Sequence, residues 1–595
     1  MEYSVLLPRK PEHIALSFSG GGFRAASYSL GCLSYMETVY IDGKKLTSLV
    51  HFISSASGGT ITNLAYTASQ RKGQTFKEFY TDINKHILHG TKLIDRVFRI
   101  MKSDREWKKT PGKSRNVINA FSIAYNELLF KEEVFGVYWK PVKSAVKEVC
   151  VNATEFENGM LFRFQNAGIP GNNFLRFKGD KSSHETLKNL KLADILSCSS
   201  CFPLGFEPFV FPNDFTHHGL NKNTLEAAIK EDPRFSPAKG EIVEAPPPRF
   251  VLMDGGIDDN QGIDSFIKAE ERLQTRNIFG YDLYITCDVS SNYTTGYDFP
   301  EEDKKSWIGK PNLLQYLLII LLLTAIFITG VITKTCTGLS YALLGISTTL
   351  LLVSAYFYVL GFKTYQKVKK EEDTYSTMIL GHISYFLRLR LSVLLQLIYS
   401  RASSLSYLAS VVFLKKIRRV SYDRLFEKIS ERKIKADGTL LKKGEKDTLI
   451  QQIELKHWRQ FSLLNAIYTL SPKNDFQRLA DLKAEAWHKT NPTVLINGKK
   501  ISLNELLKPS VALQETAQLA TDMDTTLWFD KSHQAENKPA ALIATGQFTT
   551  CYNLLRYAFR FDSNDPYWAA IQTQLAQDWW QFNQSPFWLY YSETL

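Results

Sequence analysis

A chain of 595 residues, 44% apolar and 22% charged, is long enough to bury more than one core and too apolar to be a disordered or low-complexity protein. Its 72 basic and 60 acidic side chains leave a formal charge of +12, suited to anionic lipid as well as to nucleic acid; the basic residues gather beside apolar segments and form no recognition motif, so no nucleic-acid partner is expected. Seven cysteines, an odd number without framework spacing, exclude a disulfide scaffold and point to a reducing compartment.

The opening stretch MEYSVLLPRKPEH lacks a long apolar core, so no signal peptide is expected. Ile14–Ser19 is a short apolar strand, followed by the turn Gly20-Gly21-Gly22-Phe23-Arg24 and a helical pattern over Ala25–Tyr40. A glycine turn between strand and helix exposes backbone N–H groups where the helix dipole favours negative charge. Its spacing fits neither the dinucleotide nor the P-loop pattern, which leaves an oxyanion hole, another phosphate loop or a plain tight turn. Next comes HFISSASGGT (51–60), a strand over Leu49–Ser54 that bends at Ser57 into a helix over Thr60–Ser69. A serine at such a bend is pushed outward, which makes Ser57 a candidate nucleophile. Strand, turn and helix occur twice within seventy residues, so a parallel sheet in an α/β layer is expected, with both turns at its carboxyl edge.

Residues 73–140 read as a helical cap, and Val149–Phe164 as two strands around a turn at Glu157-Asn158-Gly159. Leu190–Ser200 is a helix, Phe202–Phe211 an aromatic loop or strand, and Asn213–Glu244 a polar surface excursion. The strand Arg249–Met253 ends at Asp254-Gly255-Gly256, and IDDNQG opens a helix over Asp264–Gln274, with Asp258, Asp259 and Asn260 as caps. A last strand is expected over Leu283–Asp288. The C-x-x-C of Cys198 and Cys201 has no second pair at zinc spacing and reads as a buried structural pair. There is no metal constellation, and no cofactor is implied.

Two runs without formal charge follow, about 313–333 and 339–361, separated by a short turn that carries Lys334. Lys304, Lys305 and Lys310 precede them, and Lys363, Lys367, Lys369 and Lys370 follow. That pattern is a two-pass hairpin over 311–363 with both large flanks on the cytoplasmic side. Leu391–Leu414 is apolar but holds Arg401 and ends in KKIRR (415–419), which fits an interfacial helix or one packed on the sheet better than a third span. Residues 420–510 are charged and helical in pattern with a turn at 436–438. TDMDTTLWF (521–529) reads as a strand and 544–560 as a closing helix, so the end of a mainly helical region 364–595, about 515–562, is expected to complete a catalytic domain built on 1–310.

GGGFR (20–24), SASGG (55–59) and DGGIDDNQG (254–262), supported by NATEFENG (152–159) and ADILSCSSCFPLGFEPF (193–209), together resemble the patatin-like phospholipase family over about residues 12–290. Ser55 replaces the first elbow glycine, and Ala25 stands where the family usually has glycine; neither change removes a reactive atom. The resemblance implies a three-layer α/β/α sandwich around a mainly parallel sheet. It also implies a Ser–Asp dyad, with Ser57 attacking and Asp254 accepting its proton directly. An oxyanion hole would use Gly20, Gly21 and Gly22, with Arg24, Gly59, Gly255 and Gly256 in support; Arg24 either anchors the loop or meets a lipid phosphate. The expected protein is an integral-membrane lipid acyl hydrolase acting on phospholipid or lysophospholipid of the cytoplasmic leaflet, and a homo-oligomer is compatible with it. Two alternatives share the residues: a catalytically silent membrane scaffold or sensor, and an acyltransferase or neutral-lipid lipase.

Overall fold

The computed structural model describes residues 10–88, 92–142, 144–203, 205–231, 250–276, 280–290, 301, 307, 309–333, 338, 345–346, 348–350, 352, 388–430 and 462–592. The chain divides into two compact units, one of Met1–Thr294 with Phe413–Leu595 and the other of Thr295–Val412.

The first unit opens with strand β1 (Ile14–Phe18), helix α1 (Gly22–Thr38), strand β2 (Val50–Ala56) and helix α2 (Gly59–Arg71). Strands β3 (Glu148–Glu155) and β4 (Met160–Gln165) form a hairpin, followed by helix α3 (Leu192–Ser200) and strands β5 (Phe209–Phe211) and β6 (Phe250–Asp254). Helix α4 (Ile263–Thr275) and strand β7 (Leu283–Asp288) come next. The second unit contributes helices α5 (Leu313–Ile332) and α6 (Leu391–Tyr407). The first unit then resumes with helix α7 (Phe413–Ser430), strand β8 (Ser462–Ala466) and helices α8 (Lys538–Ala558) and α9 (Pro566–Gln584).

One eight-stranded sheet runs β8-β7-β1-β2-β3-β6-β5, with β4 paired to β3. The five strands from β8 to β3 are parallel; β1, β2, β3 and β7 are buried on both faces, whereas β8 at the edge leaves Leu464 exposed. Successive side chains still go to different cores. Ile14, Leu16 and Phe18 of β1 join the large core under α1, α2, α3 and α8, whereas Ala15 joins Phe52, Cys150, Phe266 and Tyr284 in a smaller core on the opposite face. The result is a mixed, mostly parallel sheet between two helical layers.

The exception to parallel order sets the geometry. Strand β4 lies along one edge of β3 from Cys150 to Glu155. The other edge is shared: β2 pairs parallel with Glu148–Asn152 and β6 antiparallel with Ala153–Glu155. β2 and β6 therefore run toward each other and stop at adjacent positions, Ala56 opposite Asn152 and Asp254 opposite Ala153. β6 arrives from the direction opposite to β2, and its end abuts the end of β2.

The chain beyond the second unit is built into the same unit as β1 and β2. Helix α8 packs along α1. A side-chain carbon at Gly31 would lie 2.0 Å from the Ile543 carbonyl oxygen, and one at Gly546 would lie 2.3 Å from that of Tyr28, so the close crossing requires glycine in both helices. Strand β8 sits where a helical pattern was expected and extends the sheet beside β7; its five residues, SLLNA, are too few to show a period of two. The turn expected at 436–438 lies outside the described residues. The polar excursion after Asn213 is more deeply built in than expected. Asp214 is fully buried and accepts from Ser114, Asn119 and Val210, while Lys113 is buried against Asp194 at 2.6 Å.

In the second unit, α5 starts with a reciprocal cap, Asn312 Oδ1 accepting from the Gln315 N–H at 2.8 Å and Gln315 Oε1 from the Asn312 N–H at 2.9 Å. It carries no formal charge, none of its apolar window is buried, and among the described residues it is the one helix long and apolar enough to cross a membrane. Twenty residues at ~1.5 Å each span about 30 Å. The second run, 339–361, lies outside the described residues apart from isolated positions. Helix α6 begins beside α5: the Leu391 and Ser392 N–H groups donate to the Pro311 and Gly309 carbonyls, both at 3.0 Å, and no residue of α6 is buried.

One residue of the basic run 415–419 is built into the core. Arg418 of KKIRR is buried in the first unit, with its Nε 2.8 Å from Asp288 Oδ2 and its NH2 2.9 Å from the Tyr468 hydroxyl, while the Tyr422 hydroxyl donates to Asp288 Oδ2. It pins α7 to the end of β7 and is withdrawn from any lipid surface. Arg418→Met leaves the Asp288 carboxylate buried without its ion partner. Urea unfolding is expected to register a loss of about 3–5 kcal/mol, and Asp288→Asn in the same chain should restore part of it.

Candidate active site

Ser57 follows directly on β2 and takes φ 48°, a left-handed conformation that costs a non-glycine residue about 1–3 kcal/mol. Hydrogen bonds hold it there. Its N–H donates to the Ser199 carbonyl at 3.1 Å and meets Ser199 Oγ at 3.0 Å, while its carbonyl accepts from the Thr60 N–H at 2.9 Å. Ser55 stays in the strand, paired with Phe18 and Val151, and its hydroxyl accepts from Thr60 Oγ1 and Asn63 Nδ2. The bend needs no glycine there, because the left-handed residue is Ser57.

Asp254 faces it from the end of β6. Ser57 Oγ donates to Asp254 Oδ2 at 2.6 Å, and the Gly256 N–H donates to Oδ1 at 2.7 Å. The Asp254 side chain is almost wholly buried, and burial lifts its pKa from 3.8 to about 7 against the pull of those two bonds. Ser199 ties the two strand ends together: its carbonyl also accepts from the Gly255 N–H at 3.1 Å, and its hydroxyl donates to the Asn152 carbonyl at 2.6 Å.

The glycine loop closes the third side. Gly21 and Gly22 have φ of 141° and 64°, and a side-chain carbon at Gly58 would lie 2.0 Å from the Gly22 carbonyl oxygen, so loop and elbow are in backbone contact. Gly59 also lies tight against Ser19 and Phe18, a side-chain carbon there coming to 2.6 Å from the Ser19 carbonyl oxygen. Gly20 abuts Ser57, but its N–H donates to the Asn260 carbonyl at 2.9 Å, and that of Phe23 to the Thr526 carbonyl at 2.7 Å. The expectation that Gly20 offers a free donor is corrected: among the described residues, Gly21 and Gly22 are the loop positions left to donate. Arg24 is buried, and burial lowers its pKa to about 10 despite the nearby Asp524 and Asp288. It donates to the Met523 carbonyl, which is the anchoring alternative and not the lipid-phosphate one.

Asp259 caps α4 by accepting from the Ile263 and Asp264 N–H groups, both at 2.9 Å. Among the described residues no group of three or more His, Cys, Asp or Glu side chains is arranged to hold a metal ion. His217 is engaged locally, with the Asn189 carbonyl and the Gly219 N–H. Cys198 and Cys201 are buried and unbridged. Sequence reasoning brought together Ser57, Asp254 and the glycine loop; it took Asn260 only as a helix cap and missed Ser199 and Thr526. The small-residue run SCSS at the end of α3 is a local signal for Ser199; Thr526 has none.

Residues 16–267 match the family model described as patatin-like phospholipase. The chain carries a patatin-like phospholipase domain. Strands β1, β2, β3 and β6, with Ser57, Asp254 and the glycine loop, all fall within the patatin-like match or end at its borders. This match supports a lipid hydrolase. Solved structures similar to the chain include human GIVD cytosolic phospholipase A2, at 11% identity over 46% of this chain and 45% of that one with a TM-score of 0.30. VipD from Legionella pneumophila is similar at 12% identity over 55% of each chain, with a TM-score of 0.21. The chain thus covers about half of each of those proteins. Comparison with curated proteins gives no match.

The burial of Asp254 in the patatin-like domain has a measurable stability cost. Between pH 4 and 7 the folded state keeps a proton that the unfolded chain has released, so stability falls as pH rises through that window, and the whole penalty is present above it. Asp254→Asn is therefore expected to stabilise the protein at pH 8 by on the order of 2–4 kcal/mol in denaturant unfolding, with the gain vanishing near pH 4.

Proposed function

We propose that the protein is a membrane-anchored serine lipid acyl hydrolase of the phospholipase A or lysophospholipase type, with Ser57 and Asp254 as its catalytic dyad. The observation that carries this reading is the 2.6 Å bond from Ser57 Oγ to Asp254 Oδ2, in a buried site beside a glycine loop where Gly21 and Gly22 have N–H groups without a partner among the described residues. Ser57 Oγ attacks the acyl carbonyl carbon while its proton passes to Asp254. The Gly21 and Gly22 N–H groups receive the developing oxyanion, a donor of this kind being worth roughly 3–4 kcal/mol. Asp254 returns the proton to the leaving lysolipid or glycerol oxygen. It then takes a proton from the water that attacks the acyl-enzyme and passes it to Ser57 Oγ as the acyl carbon–Oγ bond breaks, so serine and aspartate end as they began and the fatty acid is released.

Residues 73–140 serve as a cap, Gly255 and Gly256 hold the aspartate turn, and the hairpin 311–363 anchors the chain with its large flanks in the cytoplasm. Support for the anchor comes from the uncharged, exposed helix α5 and the lysines on both sides of the apolar pair. Anchoring keeps the site at its substrate, and the phospholipid of the cytoplasmic leaflet is then within reach.

Purified full-length protein is expected to release fatty acid and lysolipid from mixed phospholipid vesicles, read by mass spectrometry. Ser57→Ala should reduce the rate to background and Asp254→Asn by about 10²–10⁴. Wild-type rates from the Ser57→Ala protein would remove the assignment. With a soluble ester, kcat/KM should rise about tenfold per pH unit up to about 7 and then level, since the carboxylate is the form that accepts the proton. Alkaline carbonate washing should leave the full chain in the membrane pellet, whereas Leu318→Lys with Leu322→Lys in α5 should release it.

A further inference from the structure

We infer that the segment Met523–Phe529 belongs to the catalytic centre: it holds the glycine loop in its anion-binding conformation, with Thr526 as the positioning residue. This rests on the assignment of Ser57 and the glycine loop above. The segment lies outside the patatin-like match, more than 250 residues beyond its end.

A loop of three glycines has no steric preference for one conformation, so its shape must be imposed by its neighbours. At one end the Asn260 carbonyl takes the Gly20 N–H at 2.9 Å. At the other the Thr526 carbonyl takes the Phe23 N–H at 2.7 Å, in a parallel bridge between Gly22 and Thr526. Phe23 sits in the first turn of α1, where N–H groups have no partner within the helix, so an acceptor from outside orients that turn. Contact is tight: a side-chain carbon at Gly22 would lie 2.0 Å from the Thr526 oxygen. The Gly21 and Gly22 peptides, whose N–H groups have no partner among the described residues, are held between these two clamps.

The segment has no regular structure, and side chains on both sides make it rigid. Arg24, buried beside the loop, donates to the Met523 carbonyl. Leu527 lies against Gly205, Trp528 against the Phe121 ring at 6.1 Å, and Phe529 edge-on to Phe23 at 5.7 Å. Four contacts, at Met523, Leu527, Trp528 and Phe529, thus hold the Thr526 carbonyl in place. Because the segment is supplied by the chain that follows the second unit, the oxyanion site is complete only when the parts of the chain on both sides of that unit dock together.

The test uses full-length protein in detergent. Trp528→Ala loosens the segment. Replacing Phe23 by phenyllactic acid, through nonsense suppression, deletes only the donor to Thr526 and keeps every side chain. Each is expected to lower kcat on a soluble ester by about 10- to 100-fold with KM within about twofold, and to raise the inhibition constant of a trifluoromethyl ketone by the same factor. Affinity for an ether-linked lipid analogue, which forms no oxyanion, should stay as in the wild type. Unchanged kcat and ketone affinity in the phenyllactate protein would overturn the inference, as would equal weakening of ketone and ether lipid. If the wild type and Ser57→Ala hydrolyse the ester equally, the function assigned above fails first, and that result is distinct from either.

Discussion

Two strands that end against each other along one edge of β3 govern the first unit. An antiparallel strand entering beside a parallel one would ordinarily be separated from it by a full strand width. Here β2 and β6 share an edge, and their last residues are neighbours. The Ser57–Asp254 distance is consequently set by backbone pairing, with little left to flexible side chains. Such a junction leaves peptide groups without ladder partners, and they are buried. Ser199 resolves this by accepting from both Ser57 and Gly255 while donating to Asn152. That one residue at the end of α3 explains why the small-residue cluster sits there.

The site stores unfavourable free energy. Ser57 is held at a positive φ, Asp254 is buried with a raised pKa, and the glycine loop has given up its conformational freedom. Stabilisation comes from packing elsewhere: two cores on the two faces of the sheet, the close crossing of α1 and α8 at Gly31 and Gly546, and the buried Arg418–Asp288 pair. The last two come from the chain beyond residue 413, which makes that region part of the support for strands and loops several hundred residues earlier. Separation of function from stability follows the usual logic, in which a rigid surround permits strain at the reacting groups.

The proposed anchor follows a different solvent rule. Helix α5 exposes leucine and isoleucine along its length and caps its first turn with Asn312 and Gln315. A helix satisfies its own backbone groups, so an apolar one needs no protein partner in hydrocarbon, whereas in water the same exposure would be costly. The proposed anchoring and the proposed chemistry thus rest on separate features of the chain.

Much of the site was legible in the residues. Strand and helix periods located β1, α1, β2 and α2; the bend at Ser57, the glycine loop and the Asp-Gly-Gly turn are local patterns, each contained within ten residues. β8 was not legible, because a five-residue edge strand carries too little pattern. The 521–529 stretch has strand-like composition, yet forms an irregular clamp, since its side chains pack on Phe23, Phe121 and Gly205 instead of on sheet neighbours. The candidate reactive groups, the turns that carry them and the apolar helix were legible in the chain because each follows from interactions within a few residues. Packing of distant segments set the rest: β6 meets β2 end to end, Gly20 is occupied by Asn260 while Gly21 and Gly22 are left to donate, Arg418 is buried, and the Thr526 carbonyl takes the Phe23 N–H. Those outcomes depend on which backbone carbonyl lies opposite which N–H after distant segments pack, and every residue type has the same carbonyl.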